Sequence, residues 1–278
     1  MSLHQFFLDD QVIADEGDAA FALRLSRDDA KHFRVLRISA GEHIAVVDAA
    51  RDFFECEVVS TDDELPFVRI AQRLGAPDEG AQVIVVQGLA KGDKMESVIR
   101  HGTEIGVAGF VPFACERSVV KVDVKRAASK RERWQAIAKS AAMQSGRRIV
   151  PEVADVSDLR EVCEALAGAT AVLVCWEEAP QTARLSDAIA RGRAACFCTE
   201  PADARVAVVI GPEGGLTERE VEALLSCSER ASLVSLGPSI LRTETAGVVA
   251  AALAIYELGG LGNVPARSAA KSVSEGDE

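Results

Sequence analysis

The chain has 278 residues, and its 48% hydrophobic content is enough to bury the core of one large domain or of two smaller ones. A formal charge of -12 argues against a protein that coats nucleic acid over its whole surface. No segment approaches the roughly 18 to 20 consecutive apolar residues of a membrane helix, and the first residues lack the pattern of a signal peptide, so we expect a cytoplasmic protein.

The cysteines and histidines do not indicate a metal site or a disulfide framework. Seven cysteines are an odd number, and no two of them form a CxxC pair. His32 and His101 have no second histidine or cysteine at ligand spacing. We therefore expect buried reduced thiols and no bound metal.

The first part of the chain, residues 21–73, has short apolar runs separated by turns. Runs at 44–48, 53–59 and 67–70 are predicted strands, and one helix is predicted over 26–36. This spacing is typical of a small β-barrel or sheet. Glycine and proline at 75–80 then mark a linker.

After the linker, predicted strands and helices alternate, which indicates a parallel sheet with helices on its faces. The strand candidates are 83–86, 109–113, 171–176, 206–210 and 233–236. Capping-box spacing predicts three helix starts, and glycine predicts two helix ends. The starts are at Asp93, Ser129 and Thr217, and the ends are at Gly106 and Gly146.

Positive charge is concentrated in one block. Residues 88–148 contain 13 lysines and arginines against 6 acidic residues, whereas residues 1–72 contain 7 against 15. Two interpretations are open: a local surface that binds phosphates, or a solvated helical face.

Two segments, 210–215 and 235–246, each leave a predicted strand through glycine and proline and lead into a helix. Glycine lets a ligand approach the main chain at the end of a strand, so the pair suggests one ligand cradle, with plain structural turns as the alternative. Neither segment has the GxGxxG or P-loop pattern. Glu213 would repel phosphate and favours a ligand with a positive centre and hydroxyl groups.

The second segment carries Arg242 and Glu244, two residues apart at a helix start. They form either a simple ion pair or a catalytic pair in which Arg242 stabilises a developing anion. The helix that follows, over about 245–258, is built of small residues. It is either a buried core helix or a tight subunit contact. Beyond residue 262 we expect a disordered tail.

Four blocks of sequence resemble the RsmE family of 16S ribosomal RNA (uracil-N3)-methyltransferases. The most specific is Ile210-Gly-Pro-Glu-Gly-Gly followed by Leu236-Gly-Pro-Ser-Ile-Leu-Arg-Thr-Glu-Thr-Ala246. Residues 89–121 are similar to the central signature of the family, residues 142–147 to its Gln-Ser-x-Arg block, and residues 31–37 to its His-containing helix. The similarity extends from Phe6 to Leu258.

The resemblance implies a SPOUT-type α/β fold whose parallel sheet ends in a C-terminal trefoil knot, preceded by a small PUA-like β-barrel. It places the RNA-binding barrel in residues 1–74, the methyltransferase domain in 81–262 and the tail in 263–278. It also implies S-adenosyl-L-methionine as methyl donor, 16S ribosomal RNA or the 30S subunit as partner, and a homodimer, which favours the subunit-contact interpretation of the last helix.

The same resemblance assigns three sets of site residues. The catalytic pair is Arg242 and Glu244. The cofactor set is Trp176, Ile210, Gly211, Pro212, Glu213, Gly214, Gly215, Leu236, Gly237, Ile240 and Leu241, although Trp176 is equally well explained as a core residue. The RNA-binding set is Arg34, Arg37, Lys91, Lys94, Arg117, Lys121 and Arg147.

Two departures from the family pattern concern RNA contacts. Ser2 to Gln5 hold no arginine where the family usually has one, and His101-Gly102 replaces Lys-Ala. Two alternatives stay open at this point: a SPOUT enzyme acting on another RNA, and a noncatalytic RNA-binding factor of ribosome assembly.

Overall fold

The computed structural model describes residues 3–17, 19–61, 65–74, 80–119 and 124–261. The predicted tail 263–278, Lys121 and most of the predicted linker lie outside these ranges. Two sheets organise the described residues, one formed before residue 74 and one after residue 81.

The first sheet has five strands in the order β1-β3-β4-β5-β2. β1 runs parallel to β3, and the remaining pairs are antiparallel. Phe6, Phe33 and Phe54 lie in its core. The three predicted strands and the predicted helix are confirmed, whereas β1 and β2 were not predicted. The elements are β1 (His4–Phe7), β2 (Phe21–Ala22), α1 (Arg27–Val35), β3 (His43–Val47), β4 (Phe53–Ser60) and β5 (Phe67–Arg73).

The second sheet has six parallel strands in the order β11-β9-β10-β6-β7-β8, which confirms the predicted parallel α/β architecture. Its strands are β6 (Gln82–Gly88), β7 (Gly109–Phe113), β8 (Glu152–Val153), β9 (Ala171–Cys175), β10 (Arg205–Ile210) and β11 (Ala231–Val234). Its helices are α2 (Lys94–Ile105), α3 (Val124–Ser145), α4 (Leu159–Leu166), α5 (Leu185–Ala195), α6 (Glu218–Ser226) and α7 (Thr243–Glu257), with a 3-10 turn at Pro201–Asp203.

Alternating side chains of the central strands feed two cores, one on each face of this sheet. Val206 and Val208 of β10 pack with α2, α3, α5 and α7, whereas Ala207 and Val209 pack with α4 and α6. Because side chains alternate along a strand, a parallel strand covered on both faces is apolar throughout. This explains the unbroken apolar runs that predicted the strands.

Helix boundaries test the capping predictions. The box between Thr217 and Glu220 forms with both of its hydrogen bonds, and Asp93 stands at the N-cap of α2 without a side-chain cap bond. Gly106, with a φ of 109°, follows the end of α2, and Gly146, with a φ of 71°, follows α3. The predicted start at Ser129 is wrong, because α3 begins at Val124 and the strong helix formers before Ser129 extend it.

Two other boundaries shift around the second glycine-proline segment. β11 ends at Val234 rather than at residue 236, and α7 begins at Thr243 rather than at residue 245. The loop therefore starts earlier than predicted, and the hydroxyl of Thr243 stands in the first turn of α7.

Helix α3 joins the two sheets. Lys139 Nζ lies 3.1 Å from Asp9 Oδ1 and 2.8 Å from the buried Asp29 Oδ2 of α1. Burial lowers the pKa of Lys139, but the hydrogen bond and charge of Asp29 outweigh it, so that the pKa is raised. Ala142 of the same helix packs against Phe7 and Phe53. The first sheet is therefore fixed against the second by both charge and apolar contact.

Across the described ranges, no helix has the length and apolarity needed to cross a membrane.

Candidate active site

A cavity of about 480 Å³ lies beyond the carboxyl ends of β9, β10 and β11. Because parallel strands all end at the same edge, the loops that follow them meet there. The two glycine-proline segments line most of the cavity: the first loop, residues 211–215, and the second loop, residues 235–242. The predicted cradle is therefore a single site.

Ten of the eleven predicted cofactor residues line this cavity. They are Trp176, Ile210, Gly211, Pro212, Glu213, Gly215, Leu236, Gly237, Ile240 and Leu241. Gly214 instead faces Arg117, whose Nη1 donates to the carbonyl oxygens of Gly214 (3.2 Å) and Leu216 (3.3 Å). Trp176 lines the cavity and also packs against the core. Its interpretations as a cofactor contact and as a core residue are therefore compatible.

An ion pair and a backbone hydrogen bond hold the carboxylate of Glu213 in place. Lys94 Nζ lies 2.9 Å from Glu213 Oε1, and the backbone N–H of Lys91 donates to the same oxygen at 3.0 Å. Burial raises the pKa of Glu213, but the hydrogen bonds from Lys94 and Lys91 outweigh it and lower the pKa below its ordinary value. The hydrogen bond to Glu213 raises the pKa of Lys94 in turn. Both groups are therefore charged near neutral pH.

The first loop needs glycine for steric reasons. Gly215 has a φ of 72°, a backbone conformation that favours glycine, and a Cβ there would displace the exposed carboxylate of Glu177. On the other side, a Cβ at Gly88 would overlap the backbone nitrogen of Pro212. The loop is thus enclosed between the end of β6 and the residues that follow β9.

The second loop is much more open. Residues 237–240 are exposed, and the side chain of Ile240 is 90% exposed. Leu236 and Leu241, at the two ends of the loop, are half-buried. The loop therefore carries apolar surface that the described residues leave uncovered.

Arg242 and Glu244 do not form the simple ion pair that the sequence left open. Glu244 Oε2 lies 3.7 Å from Lys94 Nζ, is buried, and has no hydrogen-bond partner within the described ranges. Arg242 is exposed at the cavity wall, and no described residue gives it an ion pair or a hydrogen bond from its side chain. Its guanidinium is therefore available to a ligand.

The predicted RNA-binding residues fall into different environments. Arg34, Arg37, Lys91 and Arg117 are exposed. Lys94 is part of the cavity wall, which its position in a basic block did not indicate.

Arg147, the remaining described member of that set, is half-buried. Its Nη1 donates to the carbonyl oxygens of Thr103 (3.1 Å) and Val107 (2.6 Å), and burial lowers its pKa. This nitrogen of the guanidinium is therefore engaged within the protein.

Sequence reasoning missed several cavity residues, among them Glu177, Gln181 and Thr243. Glu177 could have been found, because it stands two residues after the end of β9 and the ends of neighbouring parallel strands converge. With Glu213 it gives the cavity two carboxylates, and the cations Lys94 and Arg242 line the same cavity. Within the described part of the chain, no group of three or more His, Cys, Asp or Glu side chains could hold a metal ion.

Comparison with known proteins agrees with this geometry. Residues 77–255 match the model of the RNA methyltransferase domain family. The Bacillus subtilis protein named ribosomal RNA small subunit methyltransferase E is 38% identical over 226 residues, which cover 80% of this chain and 85% of the relative. The chain belongs to the small subunit methyltransferase E family. The resemblance stated from the four sequence blocks is thereby confirmed.

Solved structures of the methyltransferase E family and its neighbours share the fold. A ribosomal RNA small subunit methyltransferase E from Neisseria gonorrhoeae, solved bound to S-adenosyl methionine, has a TM-score of 0.73 at 25% identity and covers 91% of this chain and 97% of its own. A Legionella pneumophila methyltransferase solved with bound SAM has a TM-score of 0.76 at 26% identity and covers 92% of this chain and 98% of its own.

Proposed function

We propose that the protein transfers a methyl group from S-adenosyl-L-methionine to N3 of one uridine in 16S ribosomal RNA of the small subunit. The observation that carries the proposal is the single cavity formed by the two glycine-proline loops in a chain of this family. Because the substrate is ribosomal RNA, we place the enzyme in the cytoplasm.

The residues of the cavity fit the donor. A volume of about 480 Å³ lies within the range of small-molecule sites. The carboxylates of Glu177 and Glu213 suit a ligand with positive centres and hydroxyl groups, and the glycines of the first loop leave its backbone open to close approach. Trp176 offers an apolar wall for a flat ring.

When bound, S-adenosyl-L-methionine supplies an electrophilic methyl group. The uracil base must leave its stack to enter the site, and its imide N3 must lose a proton before it can attack. Arg242 stabilises the uracil anion, because its exposed guanidinium is at the cavity wall and has no partner among the described residues. Glu244 orients the base or removes its proton, and Lys94 holds the carboxylates of Glu213 and Glu244.

The fold supports a division of labour along the chain. We assign residues 1–74 to a PUA-like β-barrel that binds RNA and residues 81–262 to a SPOUT methyltransferase domain with a C-terminal trefoil knot. The first sheet and the second sheet fall on either side of the proposed boundary. Exposed cations on both, including Arg34, Arg37 and Lys91, are suited to bind RNA phosphates.

We also propose a homodimer. Helix α7 buries Gly247, Ala250 and Ala254 against the protein, while Leu253 and Tyr256 on its other face are exposed. Ile240 of the second loop, which lines the cavity, is exposed as well. We propose that a second copy of the chain covers these three apolar side chains and completes the site.

The test is methyl transfer from tritiated donor to unmodified small subunits, followed by mapping of the methylated base. We expect N3-methyluridine at one position of 16S ribosomal RNA. Arg242→Ala should lower kcat about 10²- to 10³-fold, as expected when a donor to a developing anion is removed. Arg160→Ala is the matched control, since among the described residues this exposed arginine of α4 pairs only with Glu164 on its own helix.

Equal incorporation by wild type and Arg242→Ala would refute the role of Arg242. Methylation of a transfer RNA or of large-subunit RNA would instead favour a related enzyme with another substrate. Absence of S-adenosyl-L-methionine binding in calorimetry would favour a noncatalytic assembly factor.

A further inference from the structure

A buried chain of hydrogen bonds links three separate segments behind the cavity. Gln87 Nε2, near the end of β6, donates to Thr243 Oγ1 at 2.8 Å. Thr243 Oγ1, in the first turn of α7, donates to the carbonyl oxygen of Gly211 at 2.5 Å. Gln87 is 0% exposed and Thr243 is 7% exposed. The mechanism proposed above uses neither side chain.

The direction of this chain is fixed by chemistry. A threonine hydroxyl has one proton, and a carbonyl oxygen can only accept. The hydroxyl oxygen of Thr243 accepts a hydrogen bond from the amide nitrogen of Gln87. The hydroxyl therefore uses its own proton to donate to the carbonyl oxygen of Gly211. The same amide nitrogen also donates to the carbonyl oxygen of Gly88 at 3.3 Å, which holds the amide in this orientation.

Packing around Gln87 is equally specific. A Cβ at Gly247 of α7 would lie only 2.6 Å from Gln87 Oε1, so glycine at this position lets the helix approach the glutamine. Gln87 Oε1 is itself buried and has no hydrogen-bond partner among the described residues. A buried unpaired oxygen is unfavourable, and leucine or methionine would avoid it. The donor function of the amide explains why glutamine occupies the position.

We propose that Gln87 and Thr243 are positioning residues that set the spacing between the first loop and the start of α7 before any ligand binds. Gly211 begins the first loop, and Thr243 stands between Arg242 and Glu244. One hydroxyl therefore couples the donor-binding backbone to both residues assigned to the uracil. A preset spacing lowers the entropy lost on binding. This inference rests on the proposed function for its substrates, but its geometry does not depend on them.

The decisive variants are Thr243→Val, which keeps the shape but removes the hydroxyl, and Thr243→Ser, which keeps the hydroxyl. Calorimetry with S-adenosyl-L-methionine should show affinity about fivefold weaker for Thr243→Val and within about twofold of wild type for Thr243→Ser, since an internal hydrogen bond contributes roughly 1 kcal/mol. Gln87→Met should have a smaller effect than Thr243→Val, because the hydroxyl keeps its proton for Gly211. Adding Gln87→Met to Thr243→Val should weaken donor affinity little further.

Thr170→Val is the control. Thr170 is also a buried threonine, but its hydroxyl accepts from Arg205 at the opposite end of β10. Its removal should leave affinity unchanged even if stability falls. Equal affinities of Thr243→Val and Thr243→Ser would overturn the proposal.

Hydrogen exchange without ligand provides a second measurement that does not depend on the proposed function. The amide N–H groups of Gly211 and of residues 213–216 should exchange faster in Thr243→Val than in Thr243→Ser, and unchanged exchange would also overturn the inference. If wild type binds no S-adenosyl-L-methionine, the proposed function fails while this measurement still decides the positioning role. If Thr243→Val does not fold, Gln87→Met is compared with wild type in the same way.

Discussion

The two loops line the same cavity, yet they are held very differently. The first loop is fixed on every side: Lys94 and Lys91 hold Glu213, Arg117 holds the carbonyl of Gly214, and Thr243 holds the carbonyl of Gly211. The second loop has four consecutive exposed residues, 237–240. Among the described residues, the backbone N–H of Gly237 donates to Oγ of Ser235 in the same loop, and the N–H of Ser235 donates to the carbonyl oxygen of Ala183.

This difference separates two tasks. A loop with fixed backbone groups is organised for its ligand in advance and loses little entropy on binding. An open loop with exposed apolar side chains is suited to contact another surface, which we propose to be the second subunit or the RNA. We therefore expect changes in the first loop to affect donor affinity, and changes in the second loop to affect assembly and turnover.

The largest expected effect on donor affinity comes from adding one methyl group to the first loop. Gly215→Ala strains a left-handed backbone by about 1–2 kcal/mol, and its Cβ displaces the carboxylate of Glu177, which lines the cavity. We expect more than tenfold loss of donor affinity, measured by calorimetry, and a lower melting temperature.

Gly237→Ala is the counterpart in the second loop. Gly237 also has a positive φ, 110°, but nothing lies within 4 Å of the added Cβ. The backbone strain should lower stability while donor affinity changes only a few-fold. If the two variants lose affinity equally, the contrast between the loops is incorrect.

Removing Lys94 should shift the pH dependence of binding. The folded protein lowers the pKa of Glu213, so its ionised form is stabilised above the unfolded pKa and the benefit is lost as pH falls through the folded pKa. Lys94→Met removes the hydrogen bond that opposes burial, so the pKa of Glu213 rises. The acid limb of donor binding should therefore move to higher pH.

Calorimetry over a series of acidic to neutral buffers measures this limb. Lys31→Met is the control for net charge, since Lys31 is exposed on α1, away from the cavity wall. An acid limb that does not move in Lys94→Met would show that Lys94 does not lower the pKa of Glu213.

The exposed surface of the second loop and α7 should govern assembly. Ile240→Ser and Tyr256→Ser each remove apolar area that a two-fold dimer would bury twice. We expect at least about tenfold weaker self-association in sedimentation experiments. Phe197→Ser is the control, because Phe197 is 89% exposed but follows α5. A monomeric wild type would refute the dimer.

Local signals predicted most of the fold and most of the residues that line the cavity. Nearby residues alone are enough to identify the apolar runs of β6, β7, β9 and β10 and the two glycine-proline segments. The structure brings both segments to one cavity. The short strands β2 and β8 have two residues each, and pairing with a neighbour rather than their own sequence makes them strands. The knot and the barrel type came only from the resemblance.

Long-range pairing explains what sequence reasoning could not assign. Lys94 belongs to a basic block by sequence, but its charge is used by Glu213 and Glu244, more than a hundred residues away. Gln87 and Thr243 have no pattern of their own, and their role depends on three segments meeting. Such partners are set by topology, which no local periodicity encodes.

The smallest expected effect comes from Lys91, whose backbone and side chain have different proposed roles. Its N–H holds Glu213 of the first loop, while its exposed side chain is assigned to RNA phosphate. Lys91→Gln keeps the backbone bond, so donor affinity should not change, whereas RNA affinity should weaken slightly and its dependence on log salt should fall by about one unit. Binding of 16S RNA over a salt series measures this slope. An unchanged slope would exclude Lys91 from the RNA surface, and a loss of donor affinity would mean that its side chain, like that of Lys94, is part of the fixed loop.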